Sequence, residues 1–317
     1  MKRTAVVVAP GRGTYNREEL GYFARHHANR SDLLARFDSF RKAEGQALMS
    51  ELDGADRFSP SRHTRGDNAS PLIHACAYAD FLSIDRDRFD ILAVTGNSMG
   101  WYIALACAGA LGEGDGFRVA NTMGTLMQEH MIGGQLIYPF VDDDWVPLPG
   151  ERTRIEAKVA EINARPDHVL GLSIDLGGML VLAGNDAGLT AFEAEMPVVQ
   201  DRFPMRLPNH AGFHTALQKP VAAKGQARLG EDLFHQPELS LIDGRGAIWW
   251  PKSSDLAELR AYTLGHQVVE PYDFTAAIRV AAREFMPDVF IVLGPGTTLG
   301  GAVAQSLVLS GWRGLVA

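Results

Sequence analysis

The chain is poor in three features, and each shortage excludes a class of protein. It has two cysteines in 317 residues, Cys76 and Cys107, with no CxxC pair. That excludes a disulfide scaffold and a thiolate zinc site, and it fits a reducing compartment in which both thiols are buried and inert. No apolar run approaches the roughly 20 residues needed to cross a bilayer. Lys2 and Arg3 precede an apolar stretch, as in a signal peptide, but that stretch is only Ala5 to Ala9 and ends at Pro10-Gly11. Long blocks of like charge are also missing. Charged residues make up 21%, mixed in sign, with a net charge of -8. An overall negative field argues against a nucleic acid held by bulk charge. Ten histidines are present, but His63, His74, His130, His168, His210, His235 and His266 lack ligand spacings such as HExxH, so no metal is expected. The expectation is a cytoplasmic enzyme with no membrane segment and no nucleic-acid partner.

What is abundant is apolar residues, 46% of the chain, enough for one large domain carrying a small insert. Ala5 to Ala9 reads as a buried strand closed by a Pro-Gly turn. Glu18 to about Ala55 is helical in period, Ser59 to Ser70 is turn-rich, and Pro71 is placed to open an apolar helix ending near Leu82. Asp90 to Thr95 reads as a strand, Gly96 to Gly100 as a sharp turn, and WYIALACAGAL as a buried helix. A further helix is expected from Phe117 to His130. Strand, glycine turn and helix in this order point to an α/β sheet with a site at a strand's C-terminal end. GGQLIYPFV, a helix from Glu151 to Asn163, VLGLSIDL, GMLVLAG and a helix near Ala187 to Glu195 make an α+β insert of roughly 70 residues. The chain closes with DVFIVLGPG, a strand running into a loop.

Gly96-Asn97-Ser98-Met99-Gly100 matches G-x-S-x-G. Glycines on both sides let the backbone turn from strand to helix. The serine hydroxyl is thereby exposed, and the helix N-terminal amides face developing negative charge. The same residues also suit a structural turn whose serine only caps the helix.

Six segments in register resemble the malonyl-CoA:acyl-carrier-protein transacylases and polyketide acyltransferase domains. Val8 to Gly13 resembles their Pro-Gly-Gln-Gly loop. GNSMGWYIALACAGAL resembles their serine elbow, and Gly124-Thr125-Leu126-Met127-Gln128 their Arg-Gly-x-x-Met-Gln helix. Gly212-Phe213-His214-Thr215-Ala216-Leu217 resembles their histidine loop. Gln267 with Pro271, and Leu293-Gly294-Pro295-Gly296 with Leu299, match the last two landmarks.

The resemblance implies an α/β-hydrolase-like core, residues 1–130 and 208–317, with a ferredoxin-like subdomain at 131–207. It implies ping-pong transfer of an acyl group from acyl-CoA to the phosphopantetheine thiol of an acyl carrier protein, with no tightly bound cofactor. Carried over by position, Ser98 is the nucleophile and His214 its base, preferred over nearby His210 because it follows Gly212-Phe213. A backbone carbonyl near Gln267 orients His214, and the amides of Met99 and Arg12 form the oxyanion hole. Asn97, Trp101, Met123 and Phe213 fall at substrate-binding positions. Lys219, Lys224 and Arg228 are candidates for docking the carrier, and a monomer is the default.

Three residues depart from the pattern. Asn97 stands for a histidine and Trp101 for a glutamate. Met123 stands where the family carries the arginine that clamps a malonyl carboxylate. A thioether cannot replace a guanidinium fork, so the expectation is a preference for uncharged acyl groups, with Arg12 as a rival source of the missing cation. Two other functions share these residues. A serine esterase or thioesterase would need an acid for its histidine; Asp175 and Asp186 lie between Ser98 and His214 but inside the insert. A degenerate, non-catalytic carrier-binding homologue would fit the three departures.

Overall fold

Ala5 to Ala9 is buried on both faces, which requires a strand with neighbours on each side. The computed structural model, which describes residues 2–316, places it inside a five-stranded sheet with a parallel neighbour on each side. The strands of the chain are β1 (Arg3–Ala9), β2 (Phe89–Gly96), β3 (Gly134–Pro139), β4 (Leu170–Leu176), β5 (Met179–Gly184), β6 (Met205–Arg206), β7 (Ser240–Ile242), β8 (Ile248–Trp249), β9 (Tyr272–Asp273) and β10 (Val289–Val292). The helices of eight or more residues are α1 (Ser31–Ala43), α2 (Gly66–Leu82), α3 (Gly100–Cys107), α4 (Glu113–His130), α5 (Glu151–Asn163), α6 (Asp186–Glu195), α7 (Lys219–Arg228), α8 (Phe274–Glu284) and α9 (Thr298–Leu309).

The first sheet runs β10-β1-β2-β7-β8, parallel except for the edge strand β8. Helices α2, α3 and α4 pack against one another beside it through a continuous apolar core. The second sheet runs β6-β3-β5-β4-β9. Its first four strands, with α5 and α6, follow the order β-α-β-β-α-β with antiparallel pairing, a ferredoxin-like unit. All of that unit lies within 131–207. The fifth strand, β9, comes from the C-terminal segment and pairs parallel to β4, so the two units share a sheet edge as well as chain crossings.

Two expected elements differ. The stretch of helical period from Glu18 to about Ala55 folds as separate helices, Tyr22–His26, α1 and Met49–Asp53. Gly45, between α1 and Met49–Asp53, has φ 67°, and Gly21, just before Tyr22, has φ 80°, conformations a helix interior excludes. Pro71 does not open its helix but lies inside α2. A proline at 71 leaves the carbonyl of Asp67, four residues back, without its helical donor. Arg41 Nη1 takes that carbonyl at 2.5 Å.

Buried polar groups are satisfied unevenly. The guanidinium of Arg41 also donates to Ala47 O (2.8 Å), Asn121 Oδ1 (2.8 Å) and Asn68 Oδ1 (2.6 Å), so each of its nitrogens is engaged. Cys76 and Cys107 are buried and free, and burial pushes both thiols well above their usual range. His74 is one exception. Its ring lies fully buried between Phe37, Tyr78 and Phe117, and neither nitrogen has a hydrogen-bond partner.

Burial lowers the pKa of His74 to about 3, so the folded chain keeps it neutral where the unfolded chain protonates it near 6.5. The unfolded state then binds more protons between these two values. Stability is therefore fully present above about pH 6.5 and is lost as pH falls toward 3. His74→Leu removes the stranded donor and the linkage together. It raises unfolding free energy at pH 7 by about 1–3 kcal/mol, and denaturant titration at pH 7 and pH 5 should show a larger gain at pH 5. A destabilised variant, or equal gains at both pH values, overturns this account.

Candidate active site

The serine elbow follows from close backbone approach. β2 ends at Gly96 and α3 starts at Gly100, with Ser98 between them at φ 55°. A Cβ on Gly96 would lie 2.2 Å from the carbonyl oxygen of Gly100, and one on Gly100 would lie 2.4 Å from that of Ala9. The Asn97 amide donates to Ala9 O at 3.0 Å, fixing the elbow to the end of β1. Ser98 is held in a left-handed conformation that non-glycine residues rarely occupy, a form of strain that gathers at functional sites.

The histidine loop brings His214, itself at φ 56°, to the elbow. Its Nε2 is 2.7 Å from Ser98 Oγ, and its Nδ1 is 2.6 Å from the carbonyl oxygen of Gln267. A carbonyl can only accept, so Nδ1 carries the proton and the Nε2 lone pair faces the serine hydroxyl. Burial lowers the pKa of His214 to about 4, partly opposed by the bond to Gln267. At neutral pH the ring is an acceptor poised on Ser98.

The Gln267 carbonyl is available for a local reason. It follows a π-helical turn, Tyr262–His266, and the residue four positions later is Pro271, which has no N–H to offer. The Gln267 side chain donates to Ser98 O at 3.0 Å and accepts from the Tyr102 hydroxyl at 3.2 Å. One residue thus touches the main chain of the serine and the ring of the histidine.

A relay from the small subdomain holds the other side of the loop. His210 Nδ1 bonds Gln135 Oε1 (2.8 Å), Gln135 Nε2 donates to Ser173 Oγ (2.7 Å), and the Ser173 hydroxyl donates to Phe213 O (2.8 Å). Tyr272 packs on the His214 ring and donates its hydroxyl to Gly96 O. Gln135, Ser173, Tyr102 and Tyr272 are not among the site residues expected from the sequence. A polar side chain at a buried position within an apolar strand, as at Gln135 and Ser173, is the signal that marks the first two.

Two cavities meet at Ser98. A recess of about 20 Å³ is lined by Arg12, Ser98, Met99, His214 and Gln267. A larger cavity of about 380 Å³ is lined by Ile137, Ile174, Leu176, Val181 and Leu207 of the small subdomain, and by Arg12, Asn97 and Phe213. Arg12 and Met99, the two residues expected to supply the oxyanion hole, both line the recess. Two of the expected substrate-binding residues are elsewhere. Trp101 is fully buried, donates to Thr263 Oγ1 at 2.9 Å and packs edge-on against Tyr262, 5.4 Å away. Met123 is fully buried and turned to α7, where a Cβ on Gly225 would meet its sulfur at 2.6 Å. Neither lines either cavity at Ser98; both are packed against neighbouring helical segments.

The acids between Ser98 and His214 are engaged away from the imidazole. Asp175 pairs with Arg152 at 2.6 Å, and Asp186 pairs with Arg206 at 3.4 Å. Lys219, Lys224 and Arg228 are exposed on α7, and Lys224 Nζ donates to His130 Nε2 at 2.6 Å.

No protein-family model matches the chain. Among curated proteins, the malonyl CoA-acyl carrier protein transacylase of Salmonella typhimurium is 26% identical over 211 residues, 66% of this chain and 63% of that protein. The chain thus matches less than two thirds of the length of that relative. Among solved structures, the acyl-carrier-protein S-malonyltransferase of Burkholderia pseudomallei superposes with a TM-score of 0.76 at 24% identity, covering 96% of this chain and 93% of that one. A malonyl-transacylase solved in complex with a type II polyketide acyl-carrier protein gives a TM-score of 0.76 at 20% identity, covering 96% and 93%. The chain is similar in sequence to the malonyl-CoA:acyl-carrier-protein transacylases, and it has their fold, an α/β-hydrolase-like core with a ferredoxin-like subdomain.

Proposed function

We propose that the chain transfers an acyl group from an acyl-CoA to the phosphopantetheine thiol of an acyl carrier protein through an acyl-Ser98 intermediate. His214 Nε2 takes the hydroxyl proton as Ser98 Oγ attacks the thioester carbonyl. The amides of Met99 and Arg12 receive the oxyanion in the small recess. Collapse breaks the C–S bond, and the proton held by His214 passes to the departing CoA sulfur. The carrier thiol then attacks the acyl-serine with His214 again as base, and Ser98 Oγ leaves with the proton. The acyl chain lies in the larger apolar cavity.

The observation that carries this reading is the partner of His214 Nδ1. It is a backbone carbonyl, whereas an esterase or thioesterase triad places a carboxylate there. The expectation of uncharged acyl groups rested on Met123 at the position of the family's arginine; its side chain faces α7, and a panel of acyl-CoAs tests that preference.

Intact mass of the protein after incubation with a panel of acyl-CoAs tests the assignment. The expected result is one acyl adduct per chain, absent from Ser98→Ala, that persists in buffer and disappears when a carrier protein with a free phosphopantetheine thiol is added. Rapid release of free acid without carrier would make the chain a hydrolase. Failure of every thioester to label Ser98 would make it a non-catalytic homologue.

A further inference from the structure

We propose that His210 Nε2 accepts a hydrogen bond from a hydroxyl on the acyl chain, so that the preferred donors are hydroxyacyl-CoA thioesters. The proposal rests on the acyl-Ser98 reading above and names the substrate class of that site. His210 lines the larger cavity at Ser98 together with Ile137, Ile174 and Val181. Its Nδ1 bonds Gln135 Oε1 at 2.8 Å, while Nε2 makes no hydrogen bond among the described residues. Nor is Nε2 sealed off, as both nitrogens of His74 are. His63, His130 and the base His214 each engage both ring nitrogens.

The proton on this ring is placed from a distance. Phe213 O can only accept, so the Ser173 hydroxyl donates to it at 2.8 Å. Ser173 Oγ then accepts from Gln135 Nε2 at 2.7 Å, which turns Gln135 Oε1 toward His210. An amide oxygen also only accepts, so Nδ1 carries the proton and Nε2 the lone pair. Burial, and after it the Arg12 cation, holds the His210 pKa well below the usual histidine range. The ring is therefore neutral at pH 7, and Nε2 is an acceptor with no hydrogen to give.

An acceptor set among isoleucine, leucine and valine side chains calls for one donor on an otherwise apolar ligand. A hydroxylated acyl chain fits. Its alkyl part covers Ile137, Ile174, Leu176 and Val181, and its hydroxyl hydrogen meets Nε2. A plain alkyl chain strips water from Nε2 and returns nothing, which is how a polar site rejects an analogue lacking its hydroxyl. The hydroxyl belongs near the thioester. Arg12 Nη2 donates to the carbonyl of Asn209, next to His210, at 2.9 Å, and Arg12 also lines the recess at Ser98. The amides of pantetheine donate as well, but every donor carries them, so pairs that differ only in the hydroxyl isolate its effect.

The test is the rate of Ser98 acylation by matched CoA thioesters: 3-hydroxybutyryl against butyryl, 3-hydroxyoctanoyl against octanoyl, and 3-methoxybutyryl as the oxygen without its hydrogen. For the wild-type chain, kcat/KM for the better 3-hydroxy enantiomer is expected to exceed that of its plain partner by about tenfold or more, with no gain for the methoxy compound. His210→Asn sets an amide at the Nδ1 position, which can still donate to Gln135, and removes Nε2; the ratio falls to within about threefold of one. His210→Gln, whose amide oxygen can take the place of Nε2, retains more of the ratio. Circular dichroism and thermal melting at pH 7 establish that each variant is folded. A smaller wild-type ratio overturns the proposal without any variant. So does a ratio that survives His210→Asn through equal loss from both members of a pair, which would assign the acceptor to pantetheine; either leaves acyl transfer standing. Absence of any adduct on Ser98 overturns acyl transfer and this proposal together.

Discussion

His214→Ala lowers the rate of Ser98 acylation by about three orders of magnitude or more, measured by the growth of the adduct under single-turnover conditions. A serine hydroxyl is a poor nucleophile until a base removes its proton, and Nε2 at 2.7 Å from Ser98 Oγ is the acceptor in position. The ring is neutral over most of the accessible pH range because burial depresses its pKa to about 4. The wild-type acylation rate is accordingly flat from pH 8 down to about pH 5 and falls as pH approaches 4, where Nε2 becomes protonated and can no longer accept. The same depressed pKa destabilises the fold in acid, because the unfolded chain protonates this ring first. Far-ultraviolet dichroism recorded at each pH separates loss of base from loss of fold. A His214→Ala rate within tenfold of wild type, or a wild-type rate that halves near pH 6.5, contradicts the assignment.

Gly96→Ala destabilises the chain by about 3 kcal/mol or more and abolishes acylation in whatever protein remains folded. The new methyl would begin 2.2 Å from the carbonyl oxygen of Gly100. That atom is main chain at the start of α3, and α3 is buried along its whole length, so it cannot swing aside as a side chain can. The elbow must open, and opening it carries Ser98 away from His214. Chemical denaturation gives the stability change, and intact mass gives the acylation. A soluble Gly96→Ala protein with wild-type stability and labelling would show that the close approach is not required.

Much of this could be read from the residues, for reasons that differ by element. β1, β2 and α3 were legible because runs that are apolar on every side can only be buried, and glycine at 96 and 100 had no local explanation except a crowded turn. The bounds of α5 were legible because charged residues flank its apolar positions. The pairing of Ser98 with His214, 116 positions apart, was not legible from pattern; it came from the family register. The breaks within the segment from Glu18 to about Ala55 are not legible because charged helical periodicity continues across them. Pro71 was misplaced because its rescue by Arg41 comes from another helix. The inward side chains of the site failed in the same way. Trp101 and Met123 occupy informative positions in the register, but which face of a helix turns to a cavity depends on the neighbours it packs against. The relay through Gln135 and Ser173 joins two strands and a loop, and no local spacing encodes it.

The orienting oxygen of Gln267 gives Pro271 an unusual part to play. What that ring contributes is a hydrogen it does not have: any other amino acid there would bring a competing donor to the acceptor on which the imidazole depends. The value of position 271 to this protein therefore cannot be judged from the volume it fills, and a substitution that packs without fault could still cost the base its alignment.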